Sequence, residues 1–296
     1  MSYDNYTFDE QSVYISGILV DGVQSVTTNF QYPAVEENSL GYLTPVATSM
    51  DGLMEGEFSA SRLLVGSGDT LTGHFSDGVS GHLRYSPEHA YVFETGLISS
   101  YSCNCEINEL PTLDFTMKTW GKVFGSITGV GDQPGPESNL NQELYLPSAG
   151  DIEIEVKDCA GGHQLDISTN AVRSFEYNID LDWTPLSTLG SQNPQGFFVR
   201  YPIEVEAVIT LELNDFIPPD FLNSLCNPIF KEITLKVNSC STDCADSKRL
   251  LRKFVLPNGK LVALNQFSDM DDVLLAEVIF KSTNTSAGKV GELVSN

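Results

Sequence analysis

Six cysteines and four histidines are the residues of this 296-residue chain that could bind a metal. Cys240 and Cys244 are spaced like two zinc ligands, but zinc takes four ligands and no histidine or second cysteine pair lies near them in the sequence. Cys103 and Cys105 alternate as in a strand, which puts both side chains on one face. The sequence therefore predicts reduced, partly buried thiols and no metal, with a Cys240–Cys244 disulfide as the alternative.

Several groups of acidic residues could also do chemistry. The pair Glu55 and Glu57 has the residue types of a glycosidase, and the acids at 180–182 and 269–272 could bind calcium. Neither acidic run has the glycine and distal glutamate of a calcium-binding loop, and alternating acids are typical of a sheet surface. A phosphate-binding glycine loop, a GxSxG elbow and an HExxH motif are all missing from the sequence. The sequence predicts a protein that is not an enzyme and uses no cofactor.

The elements that carry these residues have the alternation of β-strands. In the run 204–213, Val205, Ala207 and Ile209 point to one side, and Glu204 and Glu206 to the other. The run 151–156 behaves in the same way. Turn signals such as Pro257-Asn-Gly259 separate the runs, and only the segment 218–225 has helical spacing. The fold is predicted to be mainly β, with antiparallel sandwich or barrel domains and at most one or two short helices.

The chain also repeats itself. Between residues 23–57 and 172–206, eight of the 35 aligned positions are identical at a constant offset of 149. About two identities are expected from average residue frequencies. The identical positions of the first copy are Val23, Ser25, Asn29, Leu40, Gly41, Pro45, Glu55 and Glu57. A period of half the chain predicts two copies of one domain.

A second match, of residues 114–119 with 277–282, has an offset of 163. An insertion of about 14 residues in the second copy explains the change of offset. The predicted organisation is a first β domain over 1–130, a linker or arm over 131–149, and a second β domain over 150–296 with an insertion near 216–250. The linker is rich in glycine, proline and polar residues.

The formal net charge of −24 comes from 40 acidic and 16 basic side chains. Such a charge repels phosphates, which argues against ordinary nucleic-acid binding. The chain has no apolar run of about 18 residues that could span a bilayer, and its first residues do not form a secretory signal. We expect a protein that is kept in a cytosol-like compartment and does not bind membranes.

Short sequence elements resemble tail tube proteins of tailed bacteriophages. They are Ile15–Ser25, Leu40-Gly41, Gly56–Ser59, and Leu97–Ser102 followed by Leu110-Pro111. Their order is similar to that of the family's β-sandwich unit, and the second copy repeats the first three elements in weaker form. The resemblance covers most of residues 12–120 and roughly 165–282. The segment 216–250 and the cysteine-containing stretch 102–105 depart from it.

The resemblance implies a structural virion protein, assembled in the host cytoplasm, whose rings stack into a hollow tail tube for genome ejection. Rings of this family generally have sixfold arrangement of one β domain. With two domains in each chain, three copies give a homotrimer that forms a pseudo-hexameric ring. The implied partners are further copies of the chain, the tail terminator, the tape measure protein and the distal tail or baseplate proteins, with DNA in transient, non-adhesive passage.

An acidic lumen would reduce the adhesion of a passing genome by repelling its phosphates. We predict six acids on alternating strands as lumen or ring-face residues: Glu55, Glu57, Glu153, Glu155, Glu204 and Glu206. The alternative is that these side chains face outside solvent.

Two other functions fit the same sequence. The chain could be another ring protein of the tail, such as a terminator, a distal tail ring or a baseplate ring. It could also be a tandem carbohydrate-binding module, since two β-sandwiches in tandem are common there. Such modules expose flat aromatic platforms, for which the chain offers the tryptophans Trp120 and Trp183.

Overall fold

A computed structural model describes the chain in segments. The described residues are 11–37, 47–50, 52–64, 71, 78–85, 89–121, 123–125, 147, 152–158, 172–191, 193–212, 230–239, 249–267 and 274–284. The predicted linker 131–149 lies almost wholly outside them. The predicted helix over 218–225, the acidic run 269–272, Cys240 and Cys244 also lie outside the described residues.

Eighteen strands account for most of the described chain, and these residues contain no helix. The first half holds β1 (Ser12–Ile15), β2 (Ile18–Leu19), β3 (Val23–Gln31), β4 (Ala34–Glu37), β5 (Ala47–Met50), β6 (Glu55–Leu63), β7 (Val79–Arg84), β8 (Ala90–Glu106), β9 (Thr112–Trp120) and β10 (Val123–Phe124). The second half holds β11 (Ile152–Asp158), β12 (Val172–Asp180), β13 (Trp183–Leu186), β14 (Gly196–Val199), β15 (Ile203–Glu212), β16 (Phe230–Ser239), β17 (Arg249–Phe267) and β18 (Leu275–Asn284). Every pairing among these strands is antiparallel, so the predicted mainly β fold class is confirmed.

Fourteen of the strands form one sheet, and its strand order has the same pattern in both halves of the chain. The first half pairs in the order β1-β7-β8-β9-β6-β3, and the second in the order β11-β16-β17-β18-β15-β12. The separate hairpin β4–β5 of the first half has its counterpart in β13–β14. The two halves therefore share strand order as well as local sequence.

The pairing register also recurs at the offsets found in the sequence. Asn29 lies opposite Glu57, and Asn178 lies opposite Glu206, so both members of the pair recur at the offset of 149. Glu57 then pairs with Lys118, and Glu206 pairs with Lys281, so the two lysines are related by the offset of 163. Because a slip of one position would send every side chain to the opposite face, equal register means that both halves present equivalent positions to equivalent faces.

The irregularities of the sheet recur at equivalent positions. The ladder between β8 and β9 shifts register between Ile98 and Ser100, and the ladder between β17 and β18 shifts between Leu261 and Ala263. Each ladder therefore has one bulge residue without an opposite residue in that ladder: Ser99 in β8 and Val262 in β17. A β-bulge bends its strand and increases the local twist, so β8 and β17 bend at the same point.

The long hairpin of the second half accounts for most of the change in offset. Gly81 pairs with Phe93 between β7 and β8, and Ile233 pairs with Leu256 between β16 and β17. The offset is 152 from Gly81 to Ile233 and 163 from Phe93 to Leu256. The larger part of the change from 149 to 163 therefore falls within the β16–β17 hairpin, which includes the later part of the predicted insertion near 216–250.

The sheet continues across the predicted domain boundary. The last part of β8 pairs with β12, from Ser100 opposite Asp180 to Glu106 opposite Ser174. Apolar side chains of both strands, such as Tyr101 and Tyr177, belong to one buried hydrophobic cluster that includes both halves. The two halves are joined by a strand pairing and a shared core.

One predicted turn is wrong. Pro257-Asn-Gly259 lies inside the 19-residue strand β17. The ladder to β16 shifts register between Lys231, opposite Gly259, and Ile233, opposite Leu256, and Asn258 has a φ of 51°. This bulge uses a left-handed residue, as many tight turns do, which is why asparagine and glycine can signal either one.

Trp183 connects the β13–β14 hairpin to the bulge of β8. Its indole Nε1 donates a hydrogen bond of 2.7 Å to the carbonyl oxygen of Ile98, and its side chain is buried. We expect W183F to lower the free energy of unfolding by about 1–3 kcal/mol, because a buried carbonyl loses its partner. Urea unfolding should show a much smaller loss for W120F, since Trp120 is half-buried and packs on Phe197. Equal losses in the two variants would contradict the role of this hydrogen bond.

Candidate functional surface

Eight strands form a continuous surface whose outward side chains alternate with the core. Their order is β3-β6-β9-β8-β12-β15-β18-β17. In β15, for example, Val205, Ala207 and Ile209 are buried, and the side chains between them point away from the core. We call the outward side of these eight strands the acidic face.

Directly paired residues form rows across the acidic face, because opposed residues of neighbouring strands point to the same side. One row crosses seven strands. It comprises Thr27, Ser59, Thr116, Ser100, Asp180, Glu204 and Thr283. The first half contributes hydroxyls to this row, and the second half contributes two carboxylates and a hydroxyl. The row is continuous through the junction of β8 with β12, so the face is one surface.

Four of the six predicted acids lie on the acidic face. Glu55 and Glu57 project from β6, and Glu204 and Glu206 project from the equivalent positions of β15. Glu153 and Glu155 do not lie there. They project from β11, which pairs with β16 at the end of the sheet path. Glu155 forms ion pairs with Lys157 at 3.0 Å and Lys236 at 3.5 Å, which together hold the pKa of its carboxyl below the usual range.

A lysine between two glutamates recurs in each half of the acidic face. Lys118 lies opposite Glu57, and its Nζ is 3.7 Å from Oε1 of Glu55. Lys281, at the equivalent position, pairs with Glu204 and with Glu206, the latter at 2.9 Å. Hydrogen bonds from Lys281 to these two carboxylates raise its pKa to about 12. Each lysine offsets part of the repulsion between its neighbouring acids.

Further acids lie on the acidic face beside the four that were expected there. One of them, Glu212, continues the alternation of β15. The others are isolated acids on their strands, and the strand register places them on this face. The additional acids are Glu106, Asp114, Glu176, Asp180, Glu212 and Glu277. Arg173 forms an ion pair with Glu212 at one end of the face. On the described strands, carboxylates clearly outnumber the basic side chains of this face.

The acidic face is concave where the two halves meet. A concavity of about 530 Å³ lies over β8, β12, β15 and β18. Its lining includes Asp180, Glu204, Glu206 and Lys281. A concave surface with one predominant sign of charge focuses the electric field above it. This surface therefore repels polyanions more strongly than the same charges on a convex surface would.

Cys103 and Cys105 lie on the core side of β8, on one face as predicted. Both are buried free thiols with their Sγ atoms 4.0 Å apart. The hydrogen bond between the two thiols and the burial raise the pKa of the Cys103 thiol well above its usual value. Because the thiolate is the reactive form, Cys103 is a packing residue and a poor nucleophile.

The described part of the chain contains no cluster of three or more His, Cys, Asp or Glu side chains placed to hold a metal. Asp182, one of the acids considered for calcium, forms an ion pair of 3.1 Å with Arg200. Within the same residues, no helix is long and apolar enough to cross a membrane. Of the two tryptophans considered for sugar binding, Trp183 is buried, and Trp120 stacks at an angle on Phe197 with ring centres 5.5 Å apart.

Comparisons with known proteins give no family for this chain. No protein-family model matches it, and no curated protein matches it. The features of the molecule that bear on its function are the repeat, the register and the acidic face.

Proposed function

We propose that this chain is a structural subunit of a phage tail tube, which assembles as pseudo-hexameric trimers that stack into a hollow tube. The observation that carries the proposal is the repeated register. Two halves of one chain have the same strand order, the same bulges and the same paired positions, as expected for a duplicated ring-forming domain. Such a protein is not an enzyme and needs no cofactor.

The junction within the chain supports a ring built from such halves. One half is joined to the next by the pairing of β8 with β12, and repetition of this step between chains would continue the sheet. A rotation that closes generates a ring, whereas one that does not close generates an open filament. Six halves from three chains give the sixfold arrangement that the resemblance to tail tube proteins implies.

The stagger of the strands is consistent with a barrel. Starting at Asn29 and moving from one directly paired residue to the next across β6 and β9, one reaches Leu97 on β8. Asn178, the equivalent of Asn29 in the second half, pairs with Ser102 of the same strand. The distance along β8 from Leu97 to Ser102 is the stagger between the two halves. Apart from the bulge residue Ser99, the stagger is four residues over four strands. One residue per strand is the stagger of an eight-stranded barrel of shear 8, which tilts its strands by about 36°. With three chains and a strand separation of about 4.8 Å, a closed sheet of 24 strands would have a diameter of about 45 Å.

The acidic face is the side of this sheet that suits the lumen. It is concave at the junction of the halves and carries Glu55, Glu57, Glu204 and Glu206. A duplex carries one negative charge about every 1.7 Å, so a lumen rich in carboxylates disfavours adhesion of the genome during ejection. Such a tube is part of the virion tail. Its further partners are the terminator, the tape measure and the distal tail or baseplate proteins.

The test of the proposal is the mass and shape of the assembled protein. We expect native mass spectrometry to give a ring of about 97 kDa, which corresponds to three chains of 32.4 kDa. Negative-stain micrographs should show these rings stacked into tubes. Rings of six chains would contradict the pseudo-hexameric trimer, and a chain that stays monomeric at every concentration would contradict ring assembly. Single rings that never stack would favour a terminator, distal tail or baseplate ring.

A further inference from the structure

The eight-stranded part of the sheet has two edges that have no partner strand among the described residues. At one end, β3 pairs with β6 only. At the other end, the last residues of β17, from 261 to 267, pair with β18 on one side, while the pairing with β16 on the other side ends at Lys260. These two stretches are called the β3 edge and the β17 edge.

Neither edge carries a charged residue. The β3 edge reads VQSVTTNFQ and the β17 edge reads LVALNQF, in a chain with 56 charged side chains. Proteins protect exposed edge strands with charges, proline or bulges, because an unprotected edge pairs with other chains. The edge strand β11, with the sequence IEIEVKD, has this protection. Each edge has one bulge near its start, between Val23 and Ser25 in β3 and at Val262 in β17. The residues beyond these bulges have neither charge nor proline, which indicates that they are paired in the working assembly.

The junction of β8 with β12 is a template for that pairing. The β3 edge is equivalent to β12 at the offset of 149, and the β17 edge is equivalent to the last part of β8 at the offset of 163. In the template, Asn178 lies opposite Ser102 and Asp180 lies opposite Ser100. The same step between two chains would place Asn29 opposite Asn265 and Gln31 opposite Ala263.

We infer that the β3 edge of one chain pairs antiparallel with the β17 edge of a second copy, with Asn29 opposite Asn265. This inference rests on the proposed ring and specifies the contact that closes it. The two edges are different surfaces, so the contact is heterologous. Each chain uses its β3 edge for one neighbour and its β17 edge for the other. Three such seams make the sheets of three chains continuous.

The hydrogen bonds of the template give the geometry of each seam. Leu181 N donates to the Ser99 carbonyl at 2.8 Å, and Ile107 N donates to the Arg173 carbonyl at 3.0 Å. Hydrogen-bonded and non-hydrogen-bonded pairs alternate along an antiparallel ladder, so the pair Asn178 and Ser102 is non-hydrogen-bonded. The equivalent pair of Asn29 and Asn265 therefore has the shorter Cα separation, about 4.5 Å.

One core-side position of each edge is polar where the template is apolar. In the template the pair Tyr177 and Cys103 is apolar and fully buried. Its equivalents at the edges are Thr28 and Gln266, which are polar and reach solvent in the single chain. Polar residues at this pair reduce the apolar surface of the unassembled edges, and the backbone ladder supplies the contact when two chains meet.

The test is oxidative cross-linking of N29C/N265C in the full chain under ring-forming conditions. Two cysteines at a Cα separation of about 4.5 Å satisfy the geometry of a disulfide. We expect denaturing gels to show covalent dimers and trimers and nothing larger, because a closed ring has three seams. Each single variant and the wild-type chain, with its six native cysteines, should stay monomeric on the same gel.

The matched control is S102C/N178C, which puts the same pair into the template within one chain. It should oxidise without forming covalent oligomers, and it shows that the chemistry works at this position of the ladder. If S102C/N178C oxidises and trimeric rings of N29C/N265C form without interchain disulfides, the edge pairing is overturned while the ring stands. If no rings form in any variant or in the wild-type chain, the proposed function fails and the inference fails with it. Ladders that extend beyond three chains would overturn the closed seam.

Discussion

The T28P variant is expected to fold as a monomer and to lose ring assembly. In the template junction, Tyr177 belongs to a hydrogen-bonded pair with Cys103, so the N–H of the equivalent Thr28 points to the unpaired side of β3. Proline is tolerated on an edge strand where the missing N–H faced solvent. The single chain therefore keeps its ladder to β6, while each seam of the ring loses a donor and meets the proline ring.

The size of this effect follows from the carbonyl that T28P leaves without a donor at each seam. An unsatisfied buried acceptor costs about 1–3 kcal/mol, which corresponds to a contact weaker by roughly 5-fold to 150-fold at one seam. Because a closed trimer has three seams, we expect no rings at concentrations where the wild-type chain assembles fully. Sedimentation velocity across a dilution series measures this directly.

The control for T28P is T27P, at the neighbouring position. By the alternation of the ladder, the N–H of Thr27 points to β6, so T27P should lower the thermal stability of the monomer, whereas T28P should leave it nearly unchanged. A T28P chain that assembles like the wild type would show that the β3 edge is not a seam. A T28P chain that melts as early as T27P would show that the hydrogen-bond alternation inferred for β3 is wrong.

Much of the fold could be predicted from local sequence because alternation records which side of a strand is buried. The alternation of the run 204–213 predicts a strand with outward acids, and β15 has this pattern. The identical residues of the two copies were also informative. Asn29 and Glu57 are paired in the sheet, as are Asn178 and Glu206, so these identities lie at facing positions.

The neighbours of each strand could not be predicted in this way. Alternation shows that Glu153 and Glu155 share one side of β11, but it carries no information on the sheet position that β11 occupies. The pairing of β8 with β12 joins positions far apart in the chain, such as Tyr101 and Ile179, and such long-range contacts leave no local pattern. The turn predicted at 257–259 failed for a related reason, because the same backbone conformation also serves a bulge inside a strand.

The variant E55K/E57K/E204K/E206K is expected to convert the lumen from one that repels DNA to one that retains it. Each substitution changes the charge by two, so the chain goes from −24 to −16, with the whole change on the acidic face. Lys118 and Lys281, which now pair with these acids, would add to the positive charge. Wild-type tubes should not retain duplex DNA, whereas the variant tubes should retain it and release it steeply as salt rises, with a slope of about −0.9 for each phosphate contact.

A comparison of two double variants separates the effect of the face from that of net charge. E55K/E57K alters the acidic face, and E153K/E155K makes the same change of charge on β11, where the neighbouring lysines Lys157 and Lys236 provide a similar setting. Only E55K/E57K should increase retention of DNA and reduce the infectivity of particles that carry it, because only its lysines meet the passing phosphates. If both double variants retain DNA equally, net charge is sufficient and the acidic face does not line the lumen. If E153K/E155K alone retains DNA, the lumen is on the β11 side of the sheet.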